Sequence, residues 1–194
     1  MTRRWTLRLA ACLAAGAVVL SGCSERQEAS DTLPGADASP SASEPELPPL
    51  GPPDLPMPAE ARTQDAAGAE AFVRYYVDLI NRTSTVMDAA PLREFSNGCA
   101  DCSRIASVVE EDAAAGRQYN DGRILITAVG APLMKGATAE MAVHADVAAL
   151  TVRDAAGAPL SDLSSPAYVD LNGGAAIKWD APKHTWVMTV LTLQ

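Results

Sequence analysis

The chain has 194 residues, of which 48% are hydrophobic and 20% charged, and a formal net charge of −9. The length suits one domain. The negative balance, with no stripe of Lys or Arg, excludes nucleic acid as a partner and leaves only covalent or apolar routes to a membrane.

Residues 1–22 form the first predicted element. Arg3, Arg4 and Arg8 make a positive start, and the run Leu9 to Leu20 is apolar but short of the roughly 20 residues that a spanning helix needs. "LSGC" follows at 20–23, an apolar residue and two small ones before a cysteine. Ser21 and Gly22 let an extended backbone enter a protease site, and the Cys23 thiol is the nucleophile that accepts diacylglycerol. The expectation is a lipoprotein signal peptide over 1–22, cleavage behind Gly22, and anchoring through Cys23 to the extracytoplasmic face of the cell membrane. Two acyl chains suffice for stable anchoring.

Residues 23–61 read as a tether. From 24 to 61 there are nine of the 14 prolines, eight acids, one Arg and no aromatic residue. Such a stretch cannot bury enough apolar surface to offset its ordering entropy, so disorder is expected. Its end, "PELPPLGPPDLPMP", favours extended polyproline II.

Periodic apolar patterns start after Arg62, and residues 62–194 are the predicted globular domain. Ala69, Phe72, Val73, Tyr76, Leu79 and Ile80 recur at helical spacing, with Glu70, Arg74 and Asp78 on the other side. A short turn of helix is expected at "AAPLREFS" around Pro91. A third helix in "NGCADCSRIASVVEEDAAAG" has Ile105, Val108 and Val109 as its apolar face, solvated Glu110, Glu111 and Asp112, and a stop at Gly116. After residue 122 the period changes to two. "RILITAVGA" is a strand, and in "ATAEMAVHADVAALTVR" Met141, Val143, Ala145 and Val147 oppose Glu140, His144 and Asp146. "AYVDL" is a further strand, "NGG" at 172–174 reads as a turn, and "AIKW" with "HTWVMTVLTL" makes a hairpin around "DAPK". Helices first and strands last predict an α+β fold, N-terminal helices packed on a curved antiparallel sheet.

The first helix with "AFVRYYVDLINR", the Cys pair in "NGCADC" and the closing hairpin "IKWDAPKHTWVM" resemble a family of bacterial lipoproteins from high-GC Gram-positives, catalogued as a domain of unknown function. That family is similar to the cone-shaped superfamily of nuclear transport factor 2 and ketosteroid isomerase. The resemblance covers about residues 60–194 and implies a location and a cone-shaped fold, with no reaction attached.

Three constellations could carry chemistry. Cys99 and Cys102 are the thiols left free once Cys12 is removed and Cys23 acylated. A redox pair, half of a zinc site and a structural disulfide are the three readings. An oxidising compartment, the lack of a preceding βαβ unit and of a second ligand pair favour the disulfide. His144 and Asp146 form a candidate acid/base pair, yet strand neighbours two apart stand about 7 Å from one another, which favours a solvated polar face. Tyr76 and Trp186, with these two, are the candidate lining of a cone pocket; Asp78 and His184 are further titratable candidates. No cofactor or metal motif is present. The expected function is a membrane-anchored interaction domain for an extracytoplasmic protein or a small apolar ligand. The alternatives are a pocket enzyme of the ketosteroid-isomerase type and a thiol oxidoreductase.

Overall fold

The computed structural model describes residues 47–194, so the expected signal peptide, the expected lipidation site Cys23 and the first part of the expected tether lie outside the described residues. Helix α1 spans Ala66–Val86 and starts where Asp65, extended and non-helical, accepts the Gly68 N–H through its carboxylate at 2.7 Å. Its stripe of Phe72, Val73, Tyr76, Leu79 and Ile80 is buried, while Glu70 and Arg74 pair on the solvent side. The helix stops at Met87, whose φ of 56° is left-handed. Helix α2, Ala90–Glu94, has Pro91 in its first turn, where a missing N–H costs nothing. Helix α3, Ala100–Ala114, ends before Gly116, whose φ of 70° reverses the chain.

Seven strands follow: β1 Gln118–Asp121, β2 Ile124–Val129, β3 Leu133–Lys135, β4 Thr138–Val147, β5 Leu150–Arg153, β6 Tyr168–Asp180 and β7 Thr185–Leu193. The main sheet has the order β2-β4-β6-β7, with β3 pairing β4 beside β2, and every strand pair is antiparallel. Register shifts in the β2–β4, β4–β6 and β6–β7 ladders bend it, as bulges do. The sheet stays open. One face meets the helices: Met141, Val143, Ala175, Ile177, Trp186, Met188 and Leu191 pack with Phe72, Tyr76, Leu79, Leu92 and Phe95 in one core. The α+β class and the order of elements agree with the sequence reading. The small sheet of β1 and β5 was not expected.

Four local expectations are corrected. "AYVDL" and "AIKW" belong to one continuous strand, β6, and "NGG" is not a turn but its middle. Gly173 is required there by close approach: a Cβ at this position would lie 1.8 Å from the Thr192 carbonyl oxygen. On α3, Val108 is exposed and Asp112 is buried, the reverse of the expected face. The Asp112 carboxylate accepts from the Tyr119 hydroxyl and, at 2.6 Å, from Arg117, tying the end of α3 to β1. Burial beside this carboxylate raises the pKa of the Tyr119 phenol, which therefore stays a donor.

The fourth concerns the tether. Residues 47–61, assigned to it by composition, pack on the domain as a strap. Met57 and Ala61 are buried, Leu50 and Leu55 lie against the core, and the strap closes on itself through Met57 N–H to Leu50 C=O at 2.8 Å. It also ties down α1, because Tyr75 donates to the Leu55 carbonyl and Arg82 bonds Asp54 at 2.8 Å. This hydrogen bond holds the Asp54 carboxyl below its ordinary range. Composition misleads here because proline has no N–H to satisfy and little freedom to lose, so a few spaced apolar side chains are enough to dock the segment.

Candidate functional site

The sequence-predicted pocket residues fall on two sides of the sheet. Tyr76 and Trp186 are fully buried between the helices and the sheet. The Tyr76 hydroxyl donates to the Leu92 carbonyl at 3.1 Å, and the Trp186 indole N–H to the Thr63 carbonyl at 2.9 Å. Trp186 also meets Trp179 edge-on, 5.3 Å between ring centroids. Burial raises the Tyr76 phenol, and it pushes Tyr75 up to about 12, helped by the charge of Glu94, so both are neutral packing groups with a satisfied donor. They fill the space that a cone pocket would need.

His144 and Asp146 are on the opposite face. Along β4, Ala139, Met141, Val143 and Ala145 are buried and Glu140, Ala142 and His144 are exposed. His144 stands in register with Asn172 of β6 and Ala128 of β2. Asp146 has a structural duty: its Oδ1 accepts the Asp170 N–H at 2.9 Å. Asp78 is exposed on α1, and His184 is exposed in the β6–β7 turn. The four candidates of the cone pocket are therefore not one site. Among the described residues no group of three or more His, Cys, Asp or Glu side chains is placed to hold a metal ion.

Cys99 and Cys102 have their sulfurs at disulfide distance, and both residues are buried. Cys99 precedes α3, and its Sγ accepts the Cys102 N–H, the position and bond of an N-cap. Thiol exchange needs access to a sulfur, which this packing withholds. The pair sits with Ala106 and Val109 on the inward side of α3. Closing a loop of this length contributes about 2 kcal/mol in the chain-entropy model. The double variant Cys99→Ala with Cys102→Ala is expected to keep the fold and melt several degrees lower; an unchanged melting temperature overturns the staple role.

What remains is the helix-free face of the sheet. Ala142 of β4, Gly174 and Ala176 of β6, and Val190 of β7 make a floor of small and apolar groups, with Leu133 beside it. The result is an open depression of about 610 Å³, edged by Glu140, which pairs with Lys135 at 3.2 Å. Beyond His144 and Asn172 lies a second depression of about 600 Å³ at the start of β6. Leu125, Tyr168 and Val169 line it at 59%, 46% and 71% exposure, among Asp121, Arg123 and Asp146. The sequence reading took Tyr168 and Val169 as ordinary strand residues. Two pairs of the β4–β6 register, Ala145 with Leu171 and Val147 with Tyr168, enclose one extra residue on β6, a bulge in which Asp170 has φ 55°. Asp170 N–H to Asp146 holds that bulge, and the adjacent apolar pair "YV" followed by Asp was the available signal.

No protein-family model and no curated protein matches the chain. Among solved structures, the crystal structure of the intermembrane space region of chloroplast protein ARC6 is similar to it, with a TM-score of 0.48 at 15% identity over 68% of this chain and 97% of that one. At that level the likeness carries no functional statement.

Proposed function

We propose that this chain is a lipid-anchored extracytoplasmic interaction protein, and that the helix-free face of its sheet receives a protein partner. The "LSGC" stretch supports the anchor, and a long helix against a bent antiparallel sheet fits a domain of the nuclear transport factor 2-like kind. The observation that carries the interaction reading is the row of exposed apolar side chains on that face: Leu125, Leu133, Tyr168, Val169 and Val190. They cluster in the two depressions on either side of His144 and Asn172, and exposed apolar clusters of this type mark interaction sites.

Two measurements test it. Cys23→Ser is expected to move the protein from the membrane to the soluble extracytoplasmic fraction; a variant that still sediments with membranes refutes the anchor. A photoreactive side chain at Ala142 or Val190 is expected to give a discrete adduct with another protein in intact cells, whereas one at Arg104, exposed on α3, gives none. Absence of adducts from the sheet face overturns the interaction reading.

A further inference from the structure

We infer that the corner formed by Leu125, Tyr168 and Val169 docks a segment of a partner protein in which apolar side chains are flanked by Lys or Arg. This rests on the interaction reading above and names the chemistry of the partner. The apolar part of the corner is built, since Leu125 faces Asp146 across the β2–β4 ladder and Tyr168 and Val169 lie exposed beside the Asp170 bulge. Covering three such half-exposed side chains removes apolar surface from water, which suits a small anchor site.

Charge selects among the occupants. Asp121 and Asp146 line the corner, and Asp170 directly follows Val169 in the chain, against the single lining base Arg123. One Asp146 oxygen is used by the bulge, and the residue is half-buried among the groups that line the corner. A second copy of this chain would bring acids against acids across a symmetric contact, which disfavours it. Anionic lipid is repelled in the same way. The tether is disfavoured too, because residues 24–46 hold six acids and one Arg. A cationic, apolar segment satisfies both the patch and its rim.

Position agrees. Arg62 bonds the Pro48 carbonyl at 2.6 Å and the carbonyls of Lys183 and His184, so the described chain begins beside the β6–β7 turn. The corner is at the other end of β6, whose 13 residues span about 40 Å. The corner therefore lies away from the strap.

The test uses the full chain with backbone amide shifts as readout. The probe is the peptide acetyl-Lys-Lys-Leu-Phe-Leu-Lys-Lys-amide, and its control replaces each Lys with Glu. The Lys peptide is expected to shift the amides of Leu125, Tyr168 and Val169 with an affinity at least about tenfold above the control, and to weaken when salt rises from about 0.05 to about 0.5 M. Asp146→Asn keeps an acceptor for the Asp170 N–H while removing the charge, so binding should fall severalfold with the corner's own shifts conserved; Val169→Ser should weaken both peptides. Equal affinity for the two peptides, or no shift at the corner, overturns the inference. Concentration-dependent shifts at the corner without peptide indicate a second copy and also overturn it. Shifts confined to Ala142, Gly174 and Val190 remove this inference while leaving the sheet-face reading intact, and absent adducts in the cell experiment remove that reading by itself.

Discussion

Trp186→Ala is expected to cost about 3–5 kcal/mol, the range for deleting a large aromatic group from a core. Trp186 is fully buried at the start of β7, where it joins three parts of the molecule. Its ring meets Trp179 of β6 edge-on, its N–H holds the Thr63 carbonyl just before α1, and its neighbour Thr185 donates to the Met57 sulfur in the strap. A void there separates helix, hairpin and strap together. Domains of this size are stable by about 5–15 kcal/mol, so the variant should still fold at low temperature and melt roughly 10–20 °C lower. Trp186→Phe separates the contributions. It keeps most of the apolar volume and loses the indole donor, but the residue it bonded, Thr63, is exposed and its carbonyl can turn to water. The Phe variant should therefore lose less than half of what Ala loses. Urea denaturation of both variants checks this, and an Ala variant within about 1 kcal/mol of the parent would show that Trp186 does not hold the core.

The features legible in the sequence are those set by local periodicity. Phe72 to Ile80 repeat with the helix, Met141 to Ala145 alternate with the strand, and Pro182 marks the hairpin turn; each pattern depends on neighbours in the chain. The features that were not legible depend on partners distant in sequence or on the other side of a turn. Asp112 looks like the last of three solvated acids, yet Gly116 reverses the chain and brings Arg117 and Tyr119 back onto it. Leu50, Leu55 and Met57 look too sparse to fold, yet α1 supplies Tyr75 to the Leu55 carbonyl and Arg82 to the Asp54 carboxylate, which hold the segment between them. The candidate site followed the same division. Alternation pointed to His144 and Asp146 as the polar face of a strand, and His144 is exposed there with Asp146 half-buried; it had no means to show that the buried space behind them is filled by Tyr76 and Trp186. The apolar corner depends on a bulge at Asp170, a matter of register between strands that no single segment encodes.

Asn172-Gly173-Gly174 permits a sharp test of how far register overrides local preference. Two adjacent glycines invite a turn, but both sit in the middle of β6, and alanine at the two positions should act with opposite sign. At Gly173 a Cβ would stand 1.8 Å from the Thr192 oxygen, 2.6 Å from its carbonyl carbon and 3.0 Å from the Leu193 Cα, all backbone atoms that no rotamer change can move. The β6–β7 ladder must open, which endangers the paired bonds between Asn172 and Gln194 at 2.9 and 3.0 Å. Overpacking of this type costs about 1–3 kcal/mol or more. At Gly174 the nearest atom to a new Cβ is the Met141 oxygen at 3.6 Å, an ordinary contact. There alanine removes only the excess freedom of glycine in the unfolded chain and should stabilise by about 0.4–1 kcal/mol. The two variants have nearly the same composition and burial, so hydrophobic transfer cannot explain a difference between them. Gly173→Ala should also loosen the chain end, seen as faster amide exchange at Asn172 and Gln194, with little change around α1. If both alanines stabilise, or both destabilise alike, β6 and β7 are not as close at Gly173 as the structure places them, and the glycine pair owes its presence to the turn chemistry that it resembles.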